Sequence, residues 1–306
     1  MPLFSVVIPT YNRANLLCKT IDSILEQRCK DYEIIIVDDG STDDTVNKLS
    51  VYGKEIKIYS QENRGCDYAR NTGIKNAKGE YIVGFDSDDL FFPYTLGVYK
   101  KIISELNPAI LIGQQLYISE IEKYKGYKAN LEEIKYMKFQ DFFTKNISLG
   151  ITNSGLVIKR ELLNKVGGYE LNSYGSDDHA LLMKLGVESP LIIIQSPLTF
   201  AYRVHPNNTV RNIKWVTNGI KTIAESERSN HYPGGKKRRF ERRAIIGTNA
   251  IYWIKEAMDE KNIHLAADII FNLRSMLIIA LLRKTYTKFF NKNKIHSVKI
   301  QSIELN

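Results

Sequence analysis

The stretch Tyr81-Ile82-Val83-Gly84-Phe85-Asp86-Ser87-Asp88-Asp89-Leu90 joins a short apolar run directly to three carboxylates. Residues 81–85 are typical of a buried strand, because the run is short, contains β-branched and aromatic residues, and follows the turn-like Lys78-Gly79-Glu80. The three acids therefore fall at the carboxyl end of a strand, where open α/β sheets bind their ligands.

Carboxylates this close together repel one another and need either a cation or wide exposure to water. Two unit charges about 4 Å apart interact by about 4 kcal/mol at an effective dielectric constant of about 20. A cation-binding site is one interpretation of the cluster. An acidic turn, or the cap of a following helix whose dipole favours acids, is the other. The ten residues alone leave both open, and the rest of the chain favours the cation site.

Strands and helices alternate on both sides of this stretch. Short apolar runs predict the strands, and helical patterns lie between them, as over residues 17–25 and 66–77. The alternation predicts an α/β fold with a parallel sheet and right-handed crossovers, and the continuous hydrophobicity of the strands predicts that both sheet faces are covered. Residues 119–150 have no clean period, and residues after about 210 are predicted to be all-helical. The predicted strands cover residues 4–8, 32–37, 56–59, 81–85, 154–158, 191–194 and 200–204.

The composition is that of a globular protein, since 43% of the 306 residues are hydrophobic and 8 are proline. Cys18, Cys29 and Cys66 are too sparse for a disulfide framework or a structural zinc site, which fits a reducing compartment. The N-terminus has no signal-peptide pattern, and no segment is predicted to reach the roughly 20 apolar residues of a membrane-spanning helix. We therefore expect a cytoplasmic location.

The net charge of +9 is concentrated in the last third of the chain. Residues 211–306 hold 19 Lys and Arg against 8 Asp and Glu, whereas residues 1–210 hold 24 against 26. Basic residues over 236–243, and an apolar helix followed by basic residues over 265–299, predict a peripheral contact with an anionic membrane surface. The alternative is a core helix with a solvated basic tail. Nucleic-acid binding is not expected, because no DNA- or RNA-binding motif accompanies the charge.

No glycine-rich phosphate loop follows the first predicted strand, which argues against a P-loop and a typical dinucleotide site. The strand ends instead offer Thr10, Tyr11, Arg13, Asp38 and Asp39. This set suits a nucleoside, because an aromatic face stacks on a base and a carboxylate accepts hydrogen bonds from base or ribose. The alternative interpretation is that these residues only cap loops and turns.

Four segments then stand out in order along the chain: Ser5-Val6-Val7-Ile8-Pro9-Thr10-Tyr11-Asn12-Arg13, Ile36-Val37-Asp38-Asp39-Gly40-Ser41-Thr42-Asp43, Ala69-Arg70-Asn71-Thr72-Gly73 and Phe85-Asp86-Ser87-Asp88-Asp89. Their order and approximate spacing resemble family 2 glycosyltransferases, inverting enzymes with the GT-A fold. The resemblance covers roughly residues 3–209. It implies a GT-A type, Rossmann-like, mostly parallel sheet flanked by helices in a catalytic domain over 1–210. That domain divides into a nucleotide-binding half, 1–89, and an acceptor half, 90–210, and a helical, basic region follows over 211–306.

The resemblance also implies roles for the nucleoside-side residues. Thr10, Tyr11 and Arg13 resemble the family's nucleoside-binding loop. Asp39 resembles the carboxylate that faces the base, with Asp38 as its neighbour.

Further residues resemble the family's diphosphate and metal site. Arg70 resembles the helix arginine near the diphosphate, a task that suits a planar cation. Asp86-Ser87-Asp88 resembles the D-x-D motif, with Asp88 expected on the metal, Asp86 on the ribose or a metal-bound water, and Ser87 in the donor site. His205 resembles the distal histidine that completes the metal site. Oxygen ligands and a diphosphate predict Mn²⁺ or Mg²⁺.

The catalytic base is expected where the family places a Glu-Asp pair before an aliphatic helix. Asp177 stands at the Glu position and Asp178 at the Asp position. We take Asp178 as the base, and the substitution of Asp for Glu leaves Asp177 as the alternative. An N-cap role is compatible with either acid.

Together these features predict a metal-dependent inverting transferase that moves a sugar from a nucleotide sugar, expected to be a UDP-sugar, to an acceptor hydroxyl. A glycan or lipid-linked glycan acceptor in bacterial surface polysaccharide synthesis follows from the resemblance alone. The sequence predicts neither the donor sugar nor the oligomeric state. The competing hypothesis is a non-catalytic nucleotide-sugar-binding or scaffolding protein with the same fold.

Overall fold

The computed structural model of the protein describes residues 1–145, 150–171, 173, 175–290 and 295–299, with the backbone alone for 286–290. The strands in this part of the chain are β1 (Phe4–Thr10), β2 (Tyr32–Asp38), β3 (Lys57–Ser60), β4 (Tyr81–Gly84), β5 (Leu90–Phe91), β6 (Ile110–Ile112), β7 (Gln115–Ile118), β8 (Glu133–Phe139), β9 (Leu156–Lys159), β10 (Leu191–Ser196), β11 (Phe200–Arg203) and β12 (Ile295–Lys299). The α-helices are α1 (Ala14–Leu25), α2 (Thr45–Leu49), α3 (Cys66–Asn76), α4 (Thr95–Leu106), α5 (Ile121–Gly126), α6 (Arg160–Val166), α7 (Asp177–Lys184), α8 (Ile213–Arg228), α9 (Arg239–Asp259) and α10 (Ile263–Phe290).

Among the described residues, nine strands form one sheet in the order β12-β8-β10-β6-β9-β4-β1-β2-β3. All of them run in one direction except β8 and β9, so the predicted mostly parallel α/β sheet is confirmed. Every residue of β1 is buried, because alternate side chains enter two hydrophobic clusters. Val7 packs in one cluster, and Val6 and Ile8 pack in the other. Both faces of the sheet are thus covered, as the continuous hydrophobicity predicted.

Parallel pairing brings the carboxyl ends of β1, β2 and β4 to one edge of the sheet. Thr10 lies opposite Asp38, and Val7 lies opposite Gly84 just before the acids. Helix α3 packs closely on this edge at Gly73, where a Cβ atom would come within 2.3 Å of the Val7 side chain. That close approach carries Arg70, about one turn earlier on α3, to the strand ends.

A second sheet of β5, β11 and β7 lies beside the acids. Strand β5 begins directly after Asp89 and pairs with β11, so the chain leading to His205 passes next to the acidic turn. The sequence predicted β11 but not β5, β6, β7, β8 or α5. Strands β5, β6 and β7 and helix α5 are short, and β7 and α5 are largely half-buried or exposed, so their hydrophobic patterns are weak. Strand β8 lies in the stretch 119–150, which has no clean period.

The region after residue 210 consists of α8, α9 and α10, followed by β12. The helices were predicted, but β12 was not. It pairs antiparallel with β8 and so extends the main sheet. Residues 291–294 and 300–306 lie outside the described part of the chain.

Helix α10 corrects the expectation about membrane-spanning segments. Its segment Ile263–Thr285 is long and apolar enough to cross a membrane, by length and composition only, and its most apolar window has a mean hydropathy of 1.9. One face of the helix packs into the core through Ile269, Leu273 and Met276. Only 28% of the most apolar window is buried, so the opposite face is largely exposed.

In the basic run over 236–243 the lysines are exposed and the arginines are partly or fully buried, so the expectation of a basic surface there is wrong for Arg242. Arg242 is fully buried, and its Nε donates to Glu227 over 2.5 Å. Arg238 Nη2 donates to Asp141 over 2.6 Å, and Arg243 Nε lies 3.6 Å from Glu227. These arginines join α9 to α8 and to the loop before residue 145.

Replacing Arg242 with Ala should lower the free energy of unfolding by about 3–5 kcal/mol, because it removes the hydrogen-bonded partner of the buried Glu227 charge and leaves only the more distant Arg243. Urea denaturation of wild type and variant measures the difference. The exposed neighbour Lys237 supplies the control, since Lys237→Ala should leave the unfolding midpoint in place. Equal midpoints for Arg242→Ala and wild type would contradict a structural role for this ion pair.

Candidate active site

The three acids after β4 point to different partners. The backbone N–H of Asp86 donates to Ser154 Oγ over 3.0 Å, and the Asp89 N–H donates to the Asp86 carbonyl over 3.2 Å, which closes a tight turn. The Asp89 side chain is buried and accepts the Arg203 N–H over 3.0 Å. Asp89 therefore anchors β11 from inside, which leaves Asp86 and Asp88 facing the cleft.

Asp86 belongs to a cluster around the buried guanidinium of Arg70. Arg70 Nη2 donates to Asp86 over 2.9 Å, Nη1 pairs with Asp177, and Nη1 lies 3.8 Å from Asp67. The Asn153 amide also donates to Asp86, over 3.1 Å. One guanidinium thus joins α3, the end of β4 and the start of α7.

Negative charge exceeds positive charge in this cluster. Burial, with the charges of Asp88 and Asp177, raises the pKa of Asp86 against the opposing effect of Arg70. Burial and Asp177 raise the pKa of Asp67 to about 6. The excess of carboxylates over guanidinium groups makes this end of the cleft attractive to a cation.

Asp88 and His205, 117 residues apart in sequence, meet on the other side of the turn. Asp88 Oδ2 lies 2.9 Å from His205 Nε2, and Arg13 Nη1 lies 3.3 Å from each of these two atoms. Burial would raise the pKa of Asp88, but the hydrogen bond to His205 and the charge of Arg13 outweigh it and hold that pKa below its ordinary value. Asp88 is therefore ionised at neutral pH.

The Asp88–His205 pair fits a divalent cation that also binds a diphosphate. The described residues contain no group of three or more His, Cys, Asp or Glu side chains suited to a metal ion. Two converging side chains are nevertheless enough for Mg²⁺, which keeps several waters and is commonly shared between one or two carboxylates and substrate phosphates. Imidazole nitrogen is also an accepted ligand for transition metals such as Mn²⁺.

The loop that follows β11 holds His205 in place. Asn208 Oδ1 accepts the His205 N–H over 2.6 Å, and Asn208 Nδ2 donates to the Arg203 carbonyl over 3.1 Å. Arg13 Nη2 donates to the Asn207 carbonyl over 3.2 Å. The His205 ring is thus tied both to its own turn and to the loop after β1.

The two acids at the end of β2 are engaged in loop structure. Asp39 accepts hydrogen bonds from Gln61 Nε2 at 2.7 Å, from Arg64 N at 3.0 Å and from Gly65 N at 2.8 Å. Asp38 accepts the Ser41 N–H at 3.3 Å. Both acids lie at the carboxyl end of β2, where they fix the adjoining loops.

Thr10 and Tyr11 lie at the same edge and differ in exposure to solvent. The Tyr11 side chain is 46% exposed, so a face of its ring is available for stacking. Thr10 Oγ1 is buried and has no hydrogen-bond partner among the residues that the structure describes.

The two candidate bases open helix α7. Asp177 is held by Arg70, whereas Asp178 Oδ1 accepts the backbone N–H of His179 at 2.6 Å and lies 3.0 Å from its Nδ1. In the described part of the chain, Asp178 Oδ2 has no hydrogen-bond partner. Asp178 thus has an oxygen available for a proton, while Asp177 is committed to Arg70.

Sequence reasoning missed several residues of this site. Asp67 could have been found, because it stands three residues before Arg70 on a predicted helix, where such pairs interact. Asn153 and Tyr169 had no signal, since they are isolated loop residues that meet only in the fold. Tyr169 Oη donates to Asn153 Oδ1 over 2.5 Å, and its ring centroid lies 5.2 Å from the Arg70 guanidinium.

A cavity in the described part of the chain lies elsewhere. It has a volume of about 490 Å³ and is lined by Met1, Pro2, Leu3, Asp31, Glu80 and Arg160. These residues surround the amino-terminal ends of the strands, opposite the acids. Ligands of open α/β sheets bind at the carboxyl ends, so the side-chain geometry locates the candidate site better than cavity size does.

Comparison with known proteins identifies the family. Residues 5–167, more than half of the chain, match the family described as "Glycosyl transferase family 2". The chain belongs to this family. An uncharacterized glycosyltransferase of Rickettsia felis is 46% identical over 105 residues, which are 34% of this chain and 17% of that relative. The family match thus covers β1 to β4, the acids after β4 and α3. This chain spans only a small part of the length of the Rickettsia felis relative.

Two solved structures share the fold. S. aureus TarS 1-349 in complex with UDP-GlcNAc has a TM-score of 0.60 at 18% identity, over 78% of this chain and 70% of that one. Mannosyltransferase PcManGT from Pyrobaculum calidifontis, in complex with GDP-Man and Mn²⁺, has a TM-score of 0.55 at 20% identity, over 94% and 88%. These likenesses confirm that the α/β architecture is of the GT-A type.

The raised pKa of Asp67 predicts a pH dependence of stability. Its folded value of about 6 exceeds the unfolded value of 3.8, so the folded state binds more protons between these values. The free energy contributed by this group therefore falls as pH rises from about 4 to about 6. Urea denaturation at several pH values in this range gives the free energy of unfolding. The slope of that free energy against pH should be less negative for Asp67→Asn than for wild type. Identical slopes would contradict the raised pKa.

Proposed function

We propose that the chain is a metal-dependent, inverting glycosyltransferase that uses a nucleotide sugar. The observation that carries the proposal is the bridge of Arg70 between Asp86, at the end of β4, and Asp177, at the start of α7. Asp86 stands two residues before Asp88 of the candidate metal pair, and Asp177 directly precedes the candidate base Asp178, so this bridge ties together the two segments that carry them. A sugar held between them would have its diphosphate on one side and an acceptor hydroxyl on the other.

The donor is proposed to be a UDP-sugar. Tyr11 would stack on the base, with Thr10, Asp38 and Asp39 shaping its pocket, while Arg13 and Arg70 face the diphosphate. A planar guanidinium suits phosphate oxygens because it donates in a bidentate manner. The UDP-GlcNAc complex of TarS supports a UDP-sugar, and the GDP-Man complex of PcManGT supports a nucleoside diphosphate sugar more generally.

Asp88 and His205 would hold Mn²⁺ or Mg²⁺, with Asp86 and Ser87 beside them. A bound divalent ion supplies Lewis-acid stabilisation of the charge that develops on the departing diphosphate. Arg13, in contact with both Asp88 and His205, would add a fixed positive charge on the same side. The Mn²⁺ in the PcManGT complex supports this assignment.

Asp178 would act as the base. Its Oδ2 takes the proton of the acceptor hydroxyl, the acceptor oxygen bonds to the anomeric carbon, and the bond from that carbon to the diphosphate oxygen breaks with inversion. The contacts of Oδ1 with His179 would fix the orientation of the carboxylate. Asp177 would act indirectly, by holding Arg70.

A non-catalytic nucleotide-sugar-binding protein is the competing possibility. We expect slow release of UDP from a UDP-sugar in the presence of Mn²⁺, and loss of that release when EDTA is added. The reason is that leaving-group stabilisation by the metal also assists attack by water. Metal-dependent binding of a panel of UDP-sugars without UDP release from any of them would favour the non-catalytic alternative.

Substitutions of the two acids of α7 should have different effects on transfer and on UDP affinity. Asp178→Asn should lower transfer by about 10²- to 10⁴-fold, with UDP affinity unchanged, because only the base is lost. Asp177→Asn should change UDP affinity, because it frees Arg70. Isothermal titration with UDP and Mn²⁺ and a transfer assay measure the two effects. Full transfer by Asp178→Asn, with loss in Asp177→Asn, would move the base to Asp177.

We further propose that the chain works at the cytoplasmic face of a membrane on a glycan or lipid-linked glycan, as in surface polysaccharide synthesis. The support is the exposed face of α10, where Phe271, Ile278, Leu281 and Leu282 are 56–72% exposed. A helix with one apolar exposed face is typical of interfacial binding. This replaces the arginines of 236–243 as the main contact. Part of the basic stretch 265–299 lies outside the described residues.

Vesicles of phosphatidylcholine and phosphatidylglycerol test this contact by co-sedimentation. Wild type should bind, and the double variant Phe271→Ser, Ile278→Ser should bind several-fold less, because it removes apolar area from the exposed face. Val51→Ser, which changes an 80% exposed residue of the catalytic domain, is the control. Absence of wild-type binding at low salt would contradict the membrane proposal.

A further inference from the structure

Two tyrosines form an aromatic pair on the small sheet. Tyr202 of β11 lies directly opposite Tyr117 of the parallel strand β7, and their ring centroids are 5.4 Å apart at an interplanar angle of 59°. Tyr117 is 50% exposed, whereas Tyr202 is partly buried. One ring is therefore anchored in the protein while the other presents its surface to solvent.

Tyr202 is the member of the pair nearer to the acidic turn, and Tyr117 lies farther from that turn. Ala201 of β11 pairs with Leu90 of β5, and the Arg203 N–H donates to Asp89, so Tyr202 between them lies next to the acidic turn. The order of the small sheet is β5-β11-β7, and β5 directly follows the acids. Tyr117 is thus the outer member of the pair. The strands that offer the nucleoside-binding residues, β1 to β3, lie at the other edge of the main sheet.

Polar groups fix the outer ring. Gln115 Nε2 donates to the Tyr117 hydroxyl over 3.0 Å and to the Gly150 carbonyl over 2.8 Å. A Cβ atom at Gly150 would come within 3.2 Å of the Tyr117 hydroxyl, so the loop passes close to the ring. The exposed ring is consequently held in one position, which lowers the entropy lost when a ligand binds to it.

We infer that Tyr117, Tyr202 and Gln115 form a subsite for a pyranose unit of the acceptor. A pyranose has a C–H face that packs on an aromatic ring and hydroxyls that meet tyrosine hydroxyls and an amide, and such mixed surfaces are typical of binding sites for small polar ligands. A lipid tail suits this surface poorly, because it would bury these polar groups without partners. The inference rests on the proposed function, since it assigns the acceptor side of the same site.

Saturation-transfer NMR tests the subsite, with methyl glycosides of glucose, galactose, N-acetylglucosamine and rhamnose and with chitobiose as probes, in the presence of UDP and Mn²⁺. At least one probe should receive saturation from wild type. Tyr117→Ala should weaken its binding by about 3- to 10-fold, in line with the loss of one aromatic contact. Tyr117→Phe, which keeps the ring, should retain most of it. Phe240→Ala, which removes a comparably exposed ring from the start of α9, should bind like wild type.

Titration of UDP with Mn²⁺ into the same proteins distinguishes a failure of the subsite from a failure of the proposed function. Tyr117→Ala should bind UDP as wild type does. Wild type that binds UDP but none of the glycosides, or Tyr117→Ala that binds the glycoside unchanged, would overturn the subsite and leave the proposed function standing. Wild type that binds no UDP would overturn the proposed function itself.

Discussion

The buried guanidinium of Arg70 is the interaction on which the rest of the site depends. A charge taken out of water must be paired and hydrogen-bonded, because its desolvation is costly. Arg70 meets this requirement with Asp86, Asp177 and Asp67, which come from three separate elements. The end of β4 and the start of α7 are therefore held at fixed positions relative to α3. Gly73 makes this possible, since it lets α3 approach the sheet closely enough to bring Arg70 to the strand ends.

Asp88, His205 and Arg13 form a second group of charges in the cleft. The carboxylates around Arg70 leave a negative excess, whereas Asp88 is flanked by an arginine and a histidine. Asp89 separates the two groups by turning inward and anchoring β11. One tight turn of four residues thus presents two acids to the cleft and uses the third to hold the strand that leads to His205.

Much of this arrangement could be predicted from the sequence, because parallel strands bring their carboxyl ends together. Continuous apolar runs locate β1, β2 and β4, and the acids that follow them reach one edge. The approach of Asn153 and Tyr169 could not be predicted, since single loop residues have no periodic signal. Strand β7 was missed because it is short and largely half-buried, and the position of Tyr117 was missed with it.

Charge counts were the least reliable guide, because sequence shows charges but not their partners. Arg242 looks like part of a basic surface, yet it is buried against Glu227 from the preceding helix. Helix α10 shows the opposite case, in which an apolar pattern fits a core helix but one face is exposed.

The central claim is that Asp88 and His205 bind the divalent ion of a nucleoside diphosphate at the edge organised by Arg70. Anomalous diffraction from crystals soaked with UDP and Mn²⁺ tests it most directly. The account predicts a manganese peak within coordination distance of both Asp88 and His205 and next to the diphosphate. A manganese peak that contacts neither side chain, or UDP bound at another part of the protein, would contradict it.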